Sequence, residues 1–361
     1  MEPPQFLPEE LRLEILSWLP VKSLVRFRCV SKSWKSIISD SQFIKLHLHR
    51  SSSTTRNTDF AYLQSLITSP RKSRSASTIA IPDDYDFCGT CNGLVCLHSS
   101  KYDRKDKYTS HVRLWNPAMR SMSQRSPPLY LPIVYDSYFG FDYDSSTDTY
   151  KVVAVAVALS WDTLETMVNV YNIGDDTCWR TIPVSHLPSM YLKDDDAVYV
   201  NNTLNRLAIL PNVEDRDRCT ILSFDFGKES CAQLPLPYCP QSRYDFYRTW
   251  PTLGVLRDCL CICQKDKNMH FVVWQMKEFG LYKSWTLLFN IAGYAYDIPC
   301  RFFAMYMSEN GDALLLSKLA VSQPQAVLYT QKDNKLEVTD VANYIFNCYA
   351  MNYIESLVPP C

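Results

Sequence analysis

The stretch that decides the N-terminal fold is LPEELRLEILSWLPVKSLVRFRCVSKSWKSII, residues 7–38. Its beginning predicts a short helix, because Pro8 suits a first helical position and the two glutamates that follow suit the positive end of a helix dipole. Pro20 is expected to stop this helix. An apolar stripe runs along it, at Leu11, Ile15, Leu16 and Leu19.

Three further short helices are predicted, around 23–30, near 31–38 and after Ser41, which is the candidate cap of the last one. Each is too short to be stable alone, and about fifty residues make a marginal core. The unit therefore needs a partner to cover its remaining apolar surface. The alternative is a small helical subdomain packed on its own chain, with the basic residues of 32–35 on a solvated face.

Composition and charge exclude several classes of function. No apolar run approaches the roughly 20 residues of a membrane helix, and no signal-peptide core follows the N-terminus. The residues up to 78 hold twelve Lys/Arg and six Asp/Glu, a net charge of +6, and the rest hold 25 against 32, a net charge of −7. A mildly acidic main domain is a poor nucleic-acid binder. We expect a soluble chain in the cytoplasm, the nucleus or both, with reduced cysteines.

After the helices, two polar serine-rich stretches, 50–58 and 69–77, are typical of loops. One strand is possible between them, at Phe60–Ile67. From Tyr85 onward the chain consists of apolar strand-sized runs and turn residues. It contains no convincing long helix.

A turn flanked by strand-like runs recurs five times in this second part. Its positions step by 55, 54, 55 and 54 residues, at Gly93, Asp148, Asn202, Arg257 and Gly311. A second strand pattern recurs at similar steps from positions 112, 168, 221, 271 and 326. Two hairpins in each unit predict five four-stranded propeller blades, with Phe60–Ile67 and the tail Tyr344–Val358 completing a sixth. The alternative is a pair of β-sandwiches with irregular loops.

Sequence patterns for catalysis and metal binding are weak. The best zinc candidate is the group Cys88, Cys91, Cys96 and His98, but two of these cysteines alternate along an apolar strand and no second pair follows at finger spacing. Three further cysteines, at 259, 261 and 263, share one face of a predicted strand. For both groups of cysteines, burial in the core is a better explanation than metal binding. The acidic run 142–148 lacks the glycine and the last carboxylate of a calcium loop and is predicted to be a β-turn. We predict no metal, no cofactor and no catalytic residue.

The segment from Leu7 to Ile38 resembles a plant F-box from end to end. The resemblance implies docking on the adaptor Skp1, which bridges to a cullin scaffold and a RING subunit. The positions that match the core and docking residues of the family are Leu7, Pro8, Leu11, Ile15, Leu16, Leu19, Pro20, Leu24, Val25, Val30 and Trp34. Which of them form the core and which form the contact stays open.

The β-rich part is similar to the type 1 F-box-associated domain of plant F-box proteins, often labelled kelch-like. The matching motifs are Cys91-Asn-Gly-Leu-Val-Cys, Leu114-Trp-Asn-Pro-Ala-Met-Arg, Gly140-Phe-Asp-Tyr-Asp, Tyr150-Lys-Val-Val, Val170-Tyr-Asn, Trp179-Arg and the ending Tyr353-Ile-Glu-Ser-Leu-Val. Two features depart from the pattern: the chain has no Gly-Gly pair, and Asn202-Thr203 with Arg206 stand where the family has a glycine turn and then tryptophan. The resemblance implies a domain that binds a protein target.

The expected organisation is an F-box helical domain at 1–49, a linker with one possible strand at 50–84, and a β-propeller-like domain of five to six four-stranded repeats at 85–361. The resemblance implies a non-catalytic substrate-recognition subunit of an SCF ubiquitin ligase, with no nucleic-acid or membrane partner. Two alternatives remain, a propeller enzyme with a helical appendage and an F-box scaffold that acts outside a ligase. Aromatic residues in the stretches between strands are candidate target anchors: Trp161, Tyr244, Phe246, Tyr247 and Trp250.

Overall fold

The computed structural model describes residues 8–54, 60–65, 78–82, 84–103, 107–131, 134–160, 163–184, 187–188, 190–192, 197–210, 218–237, 251–266, 270–291, 301–319, 325–333, 335–339 and 348–360. Within these segments, no helix is both long enough and apolar enough to cross a membrane.

Within the described residues, four helices form the N-terminal domain, in agreement with the prediction. They are α1 (Glu9–Ser17), α2 (Val21–Phe27), α3 (Lys32–Ile38) and α4 (Ser41–Thr54). Pro8 has extended backbone and is the residue before α1, not its first helical residue. The helix ends at Ser17, ahead of Pro20, and Pro20 in turn precedes α2.

The last two helices are capped by side chains that satisfy backbone N–H groups at their first turn. Ser31 accepts the N–H of Trp34 at the start of α3. At the start of α4 the cap is the Asp40 carboxylate, which accepts the N–H groups of Gln42 and Phe43 at 2.9 and 3.1 Å. The predicted cap, Ser41, is instead the first helical residue. An aspartate also suits this end of the helix dipole.

In the part of the chain that the structure describes, five antiparallel sheets, here called blades 1 to 5, follow in chain order. Blade 1 consists of β3 (Asp86–Cys91), β4 (Leu94–Asp103), β5 (Lys107–Asn116) and β6 (Ser121–Met122), with β7 (Leu129–Leu131) paired to β5. Blade 2 consists of β8 (Val134–Asp144), β9 (Thr149–Ser160), β10 (Thr163–Ile173) and β11 (Arg180–Ile182). Blade 3 consists of β12 (Tyr191–Leu192), β13 (Val198–Val200), β14 (Thr203–Leu210), β15 (Arg218–Asp225) and β16 (Ser230–Pro235).

Blade 4 consists of β17 (Thr252–Leu256), β18 (Cys259–Lys265), β19 (Phe271–Met276) and β20 (Trp285–Ile291), with a 3-10 helix at Tyr282–Ser284. Blade 5 consists of β21 (Arg301–Met307), β22 (Ala313–Leu319), β23 (Gln325–Thr330) and β24 (Lys335–Thr339). Successive blades pack against each other through their first strands, as in β3 against β8 and β17 against β21. This side-by-side arrangement is that of a β-propeller and excludes the pair of sandwiches.

A sixth, three-stranded sheet combines both ends of the β-domain. It contains β1 (Phe60–Ser65), β2 (Thr78–Ile81) and β25 (Cys348–Asn352), and β1 lies in the middle, parallel to β2 and antiparallel to β25. The predicted completion of a sixth unit by an early strand and the tail is confirmed. The segment 50–84, expected to be a linker with one possible strand, contributes two strands to this closing sheet.

The five turns predicted from the repeat all have backbone in the left-handed region. The φ angles are 77° at Gly93, 56° at Asp148, 59° at Asn202, 50° at Arg257 and 81° at Gly311. Each turn connects the two strands of the first hairpin in its blade. The spacing of about 54 residues is therefore the distance along the chain between equivalent turns. Neighbouring turns touch: Asn92 donates to the Tyr150 hydroxyl of the next blade, and Arg257 donates to the backbone carbonyl of Ser308 at 2.7 Å. The turns therefore share one face of the propeller, here called the turn face.

Blade 3 shows how the chain accommodates its departures from the family pattern. Asn201 and Asn202 both have positive φ, 51° and 59°, which asparagine tolerates better than most residues. The guanidinium of Arg206 lies 4.4 Å from the ring centroid of Tyr138 in blade 2. A cation–π contact between blades thus occupies the position where the family has tryptophan.

Buried polar groups also join blades 2 and 3. Lys151 donates to the Asp144 carboxylate at 2.8 Å, to that of Glu229 at 3.0 Å and to the backbone carbonyl of Phe226 at 3.0 Å. Burial pushes the pKa of Asp144 upward, but hydrogen bonds from Lys151 and Ser146 outweigh it and hold that pKa well below its ordinary value. The acidic run 142–148 comprises the end of β8 and the predicted turn, which spans 145–148, and Asp144 serves this ion pair.

Candidate functional site

The outer face of α1 carries apolar side chains that nothing else in the described structure covers. Leu11 is 50% exposed, Ile15 is 52% exposed and Trp18, just past the end of the helix, is 62% exposed. Their spacing of four and three residues places them on one side of the helix. An exposed run of large apolar side chains on a small domain is typical of an interaction surface.

Trp18 is held in place on this surface by two charged neighbours. Its indole N–H donates to the Glu14 carboxylate at 3.1 Å, and the Arg50 guanidinium lies 4.8 Å from its ring centroid. Arg50 also pairs with Glu14 at 2.7 Å, and this hydrogen bond is the main cause of a lowered Glu14 pKa. A tryptophan oriented in this way loses little side-chain entropy on binding a partner. Sequence reasoning did not select Trp18, although its spacing from Ile15 was a usable signal.

A second exposed apolar side chain lies at the corner between α2 and α3. Val30 is 64% exposed there. Trp34, the next predicted position, is half-buried because its ring meets the edge of Phe27 at a centroid distance of 5.1 Å. Of the two, Val30 is the more accessible to a partner.

The core of the helical domain uses the other predicted residues. Leu16 and Leu24 are buried, together with Val21, Ile37, Ile38 and Phe43. Leu19, Val25 and Trp34 are partly buried against this core. Pro8, Leu11, Ile15, Pro20 and Val30 are exposed, and Leu7 lies outside the described residues. The structure thus divides the predicted set into a buried core and an exposed surface of α1 and the α2–α3 corner.

The helical domain rests on the turn face of the propeller through α4. Ile44 and Leu48 pack against the apolar core of blades 1 and 2. Lys45 pairs with Asp148, the turn residue of blade 2, at 2.9 Å. Hydrogen bonds from Tyr143 and Lys45 lower the Asp148 pKa. The hydrogen bond between Tyr143 and Asp148 also raises the Tyr143 pKa to about 12.

The opposite ends of the strands form the far face of the propeller. Because strands alternate in direction, β9 leaves the Asp148 turn and ends at the far face at Ser160. Likewise β16 ends and β17 begins at that face, at Pro235 and Thr252. The predicted target anchors Trp161, Tyr244, Phe246, Tyr247 and Trp250 belong to these two connections and lie outside the described residues.

A cavity of about 380 Å³ opens between the turns of blades 2, 3 and 4. Its polar lining includes Asp142, Tyr199 and Asp258. Burial raises the pKa values of Asp142 and of Tyr199. The Tyr199 hydroxyl is already engaged on both sides, since it accepts the N–H of Phe141 and donates to the carbonyl of Cys88, each at 2.9 Å. The Asp142 carboxyl group is hydrogen-bonded to the Cys91 thiol, and burial holds the pKa of that thiol well above its ordinary value, so the thiol is not activated as a nucleophile.

All six cysteines considered for metal binding are free thiols; four of them are buried in the apolar core, and Cys91 and Cys259 are partly buried. Cys88 and Cys96 are buried between blades 1 and 2, and Cys261 and Cys263 between blades 4 and 5. Burial raises the pKa values of the Cys88, Cys261 and Cys263 thiols, to about 12 for Cys263. Among the residues that the structure describes, no group of three His, Cys, Asp or Glu side chains could hold a metal ion.

Comparison with known proteins agrees with both parts of the chain. The F-box domain family matches residues 5–46, and the F-box associated beta propeller domain family matches residues 49–360. The F-box/kelch-repeat protein At3g23880 of Arabidopsis thaliana is 35% identical over 316 residues, which cover 80% of this chain and 80% of that protein. The F-box protein CPR1 of Arabidopsis thaliana is 26% identical over 317 residues, which cover 79% and 73%.

Among solved structures, the beta-propeller domain of the Trilobed protease from Pyrococcus furiosus aligns with a TM-score of 0.37 and 13% identity, over 71% of each chain. The exposed helical surface, the blades on which it rests and the two family matches lead to one conclusion. The chain belongs to the plant F-box proteins that carry an F-box associated β-propeller domain.

Proposed function

We propose that this protein is the substrate-recognition subunit of an SCF ubiquitin ligase. Its F-box docks on a Skp1-like adaptor, and through it on cullin and RING subunits, while the propeller binds a protein target. The observation that carries the proposal is the exposed apolar surface formed by Leu11, Ile15 and Trp18, none of which belongs to the core of the helical domain. Burying three such side chains supplies the central contacts that a stable interface needs.

The arrangement suits an adaptor that works by proximity. Such a subunit accelerates transfer by holding the target close to the ubiquitin-loaded enzyme, and the chemistry lies in other subunits. The F-box sits on the turn face, against Asp148, and the connections after Ser160 and after Pro235 leave from the far face. A target bound at those connections, where Trp161 and Tyr244 lie in sequence, would be held away from the adaptor.

Affinity purification from plant extract tests the proposal. The tagged full chain is compared with the double variant Leu11→Glu/Ile15→Glu and with Leu287→Glu, a matched control because Leu287 is an exposed leucine of blade 4. We expect Skp1 and cullin with the wild type and with the control, and neither with the double variant. Recovery of no Skp1 or cullin by the wild type would refute the ligase function. A protein that accumulates on the double variant and turns over with the wild type is the expected target.

A further inference from the structure

The segment Tyr353–Val358 runs from the closing sheet to the helical domain and is here called the C-terminal strap. It follows β25 directly. Tyr353 is buried against Ile81 of β2 and against blade 1. Ser356 and Leu357 are 0% and 1% exposed, although neither belongs to a helix or strand. A segment of irregular backbone that is buried this deeply must have its polar groups satisfied by partners.

Those partners are residues of blade 1. The Asn116 side-chain amide donates to the carbonyl of Ser356 at 3.0 Å and to that of Val358 at 2.7 Å. Its oxygen accepts the N–H of Met119 at 3.0 Å, so the amide is held in one orientation. The Ser356 hydroxyl donates to the carbonyl of Asn92, at the turn of blade 1, at 2.6 Å. Blade 1 therefore fixes the strap at two points.

From this position the strap reaches into the F-box. Leu357 is a member of the helical core and packs with Leu16, Leu24 and Ile38. Val358 belongs to the neighbouring core of blades 1 and 2, against which Ile44 and Leu48 of α4 also pack. The core of the F-box thus includes a side chain that lies more than 300 residues later in the sequence.

We propose that the C-terminal strap completes the F-box, so that docking on Skp1 depends on a closed propeller; this inference rests on the proposed function. A domain of about fifty residues has a marginal core, and one missing leucine is a large share of it. The strap follows β25, which pairs with β1, and its first residue Tyr353 packs on blade 1. A chain that lacks its end, or whose propeller has not closed, therefore presents an incomplete docking domain.

Gly93 offers a way to displace the strap without altering either the strap or the F-box. A Cβ at Gly93 would lie 2.3 Å from the Ser356 Oγ and 2.6 Å from the backbone oxygen of Ile354. The matched control is Gly174 in blade 2, which also has positive φ, 92° against 77°, but has no atom within 4 Å of its added Cβ. Gly93→Ala and Gly174→Ala therefore share the backbone strain and differ in the clash.

A second pair of variants removes the buried side chain itself. Leu357→Ala opens a cavity in the F-box core, and Leu234→Ala opens one in blade 3, far from the F-box in chain order and in a separate apolar cluster. Leu357→Met keeps the volume of the side chain and should restore binding.

The measurement is the affinity of each full-length variant for a purified plant Skp1-like protein, by calorimetric titration. We expect at least a tenfold loss for Gly93→Ala and for Leu357→Ala. We expect a change of less than twofold for Gly174→Ala, Leu234→Ala and Leu357→Met. If the wild type binds and Gly93→Ala and Leu357→Ala bind equally well, the strap has no role in docking and the inference is wrong. If the wild type itself does not bind, the proposed function is wrong.

Discussion

The hydroxyl of Tyr199 in blade 3 donates a hydrogen bond of 2.9 Å to the backbone carbonyl of Cys88 in blade 1. The same oxygen accepts the N–H of Phe141 in blade 2, so one side chain connects three blades. Room for it comes from Gly89, where a Cβ would lie 2.7 Å from the hydroxyl. Buried polar groups of this kind cost more to leave unpaired than they contribute when paired.

Tyr199→Phe should therefore destabilise the propeller, because it leaves one buried carbonyl and one buried N–H without their partner. We expect a loss of about 1–3 kcal/mol in the free energy of unfolding. Urea denaturation followed by fluorescence measures it. Tyr282→Phe, at a half-exposed tyrosine of blade 4, is the control and should change the free energy by less than about 0.5 kcal/mol. Equal effects of the two substitutions would contradict the role given to Tyr199.

Lys151→Met should destabilise the protein strongly, since it leaves the buried Asp144 carboxylate without its cation. Removal of one partner of a buried pair costs about 3–5 kcal/mol. Lys228 pairs with Asp225 at the surface, so Lys228→Met should cost no more than about 1 kcal/mol. Urea denaturation at neutral pH compares the two lysines. If both substitutions lowered the free energy of unfolding by a similar amount, burial of the Lys151 ion pair would not contribute to stability.

The same ion pair predicts a dependence of stability on acid pH. The Asp144 pKa in the folded protein lies below its unfolded value of about 3.9, so its contribution is complete above that value and is lost as the pH falls through the folded pKa. The unfolding free energy of the wild type should fall as the pH drops from about 5 towards 2. In Lys151→Met the main cause of the lowered pKa is gone, and the slope should be smaller. Parallel pH profiles for the two proteins would contradict this.

The thiols should differ sharply in reactivity. Cys29 and Cys178 are exposed, whereas Cys96 and Cys261 are fully buried. Alkylation of the native protein, read by peptide mass spectrometry, should label the first two within minutes and the last two only after unfolding. Early labelling of Cys96 would show that the core between blades 1 and 2 opens readily.

Trp18 is expected to contribute to docking although the sequence pattern did not select it. Trp18→Ala should weaken binding of the Skp1-like protein at least tenfold, because exposed tryptophans often dominate interfaces. Its measurement is a calorimetric titration, and Tyr130→Ala, at an equally exposed aromatic of blade 1, is the control. Unchanged affinity in Trp18→Ala would remove this residue from the docking surface.

Much of the fold could be predicted because local signals agree with it. The four helices follow from apolar spacing and prolines, and the five turns follow from strand-like runs that flank a Gly, Asn or Asp at regular intervals. The pairing of β1 with β25 could be predicted only because five repeats left one early strand and the tail to form a sixth unit. Cap identity was less certain, since Asp40 and Ser41 are adjacent and both favour that position.

The sequence predicted which residues belong to the core and docking positions together, but not which of them are exposed and form the docking surface. Leu11, Ile15 and Leu16 all fit one apolar pattern, yet the first two are exposed and the third is buried. The difference depends on where α4 and the strap pack, which sequence spacing does not contain. The contact between Leu357 and the F-box joins the two ends of the chain and has no local signal. Only the matching end motif marked that segment.

Calorimetric titration of the purified full chain with a Skp1-like protein, beside Ile15→Glu, tests the adaptor function most directly. The half-exposed Ile15 side chain can take a charge without unfolding the domain, so both proteins should have the same melting temperature. We predict saturable one-to-one binding by the wild type and at least a hundredfold weaker binding by Ile15→Glu. Absence of binding by the folded wild type, or equal binding by both proteins, would contradict docking through the surface of α1.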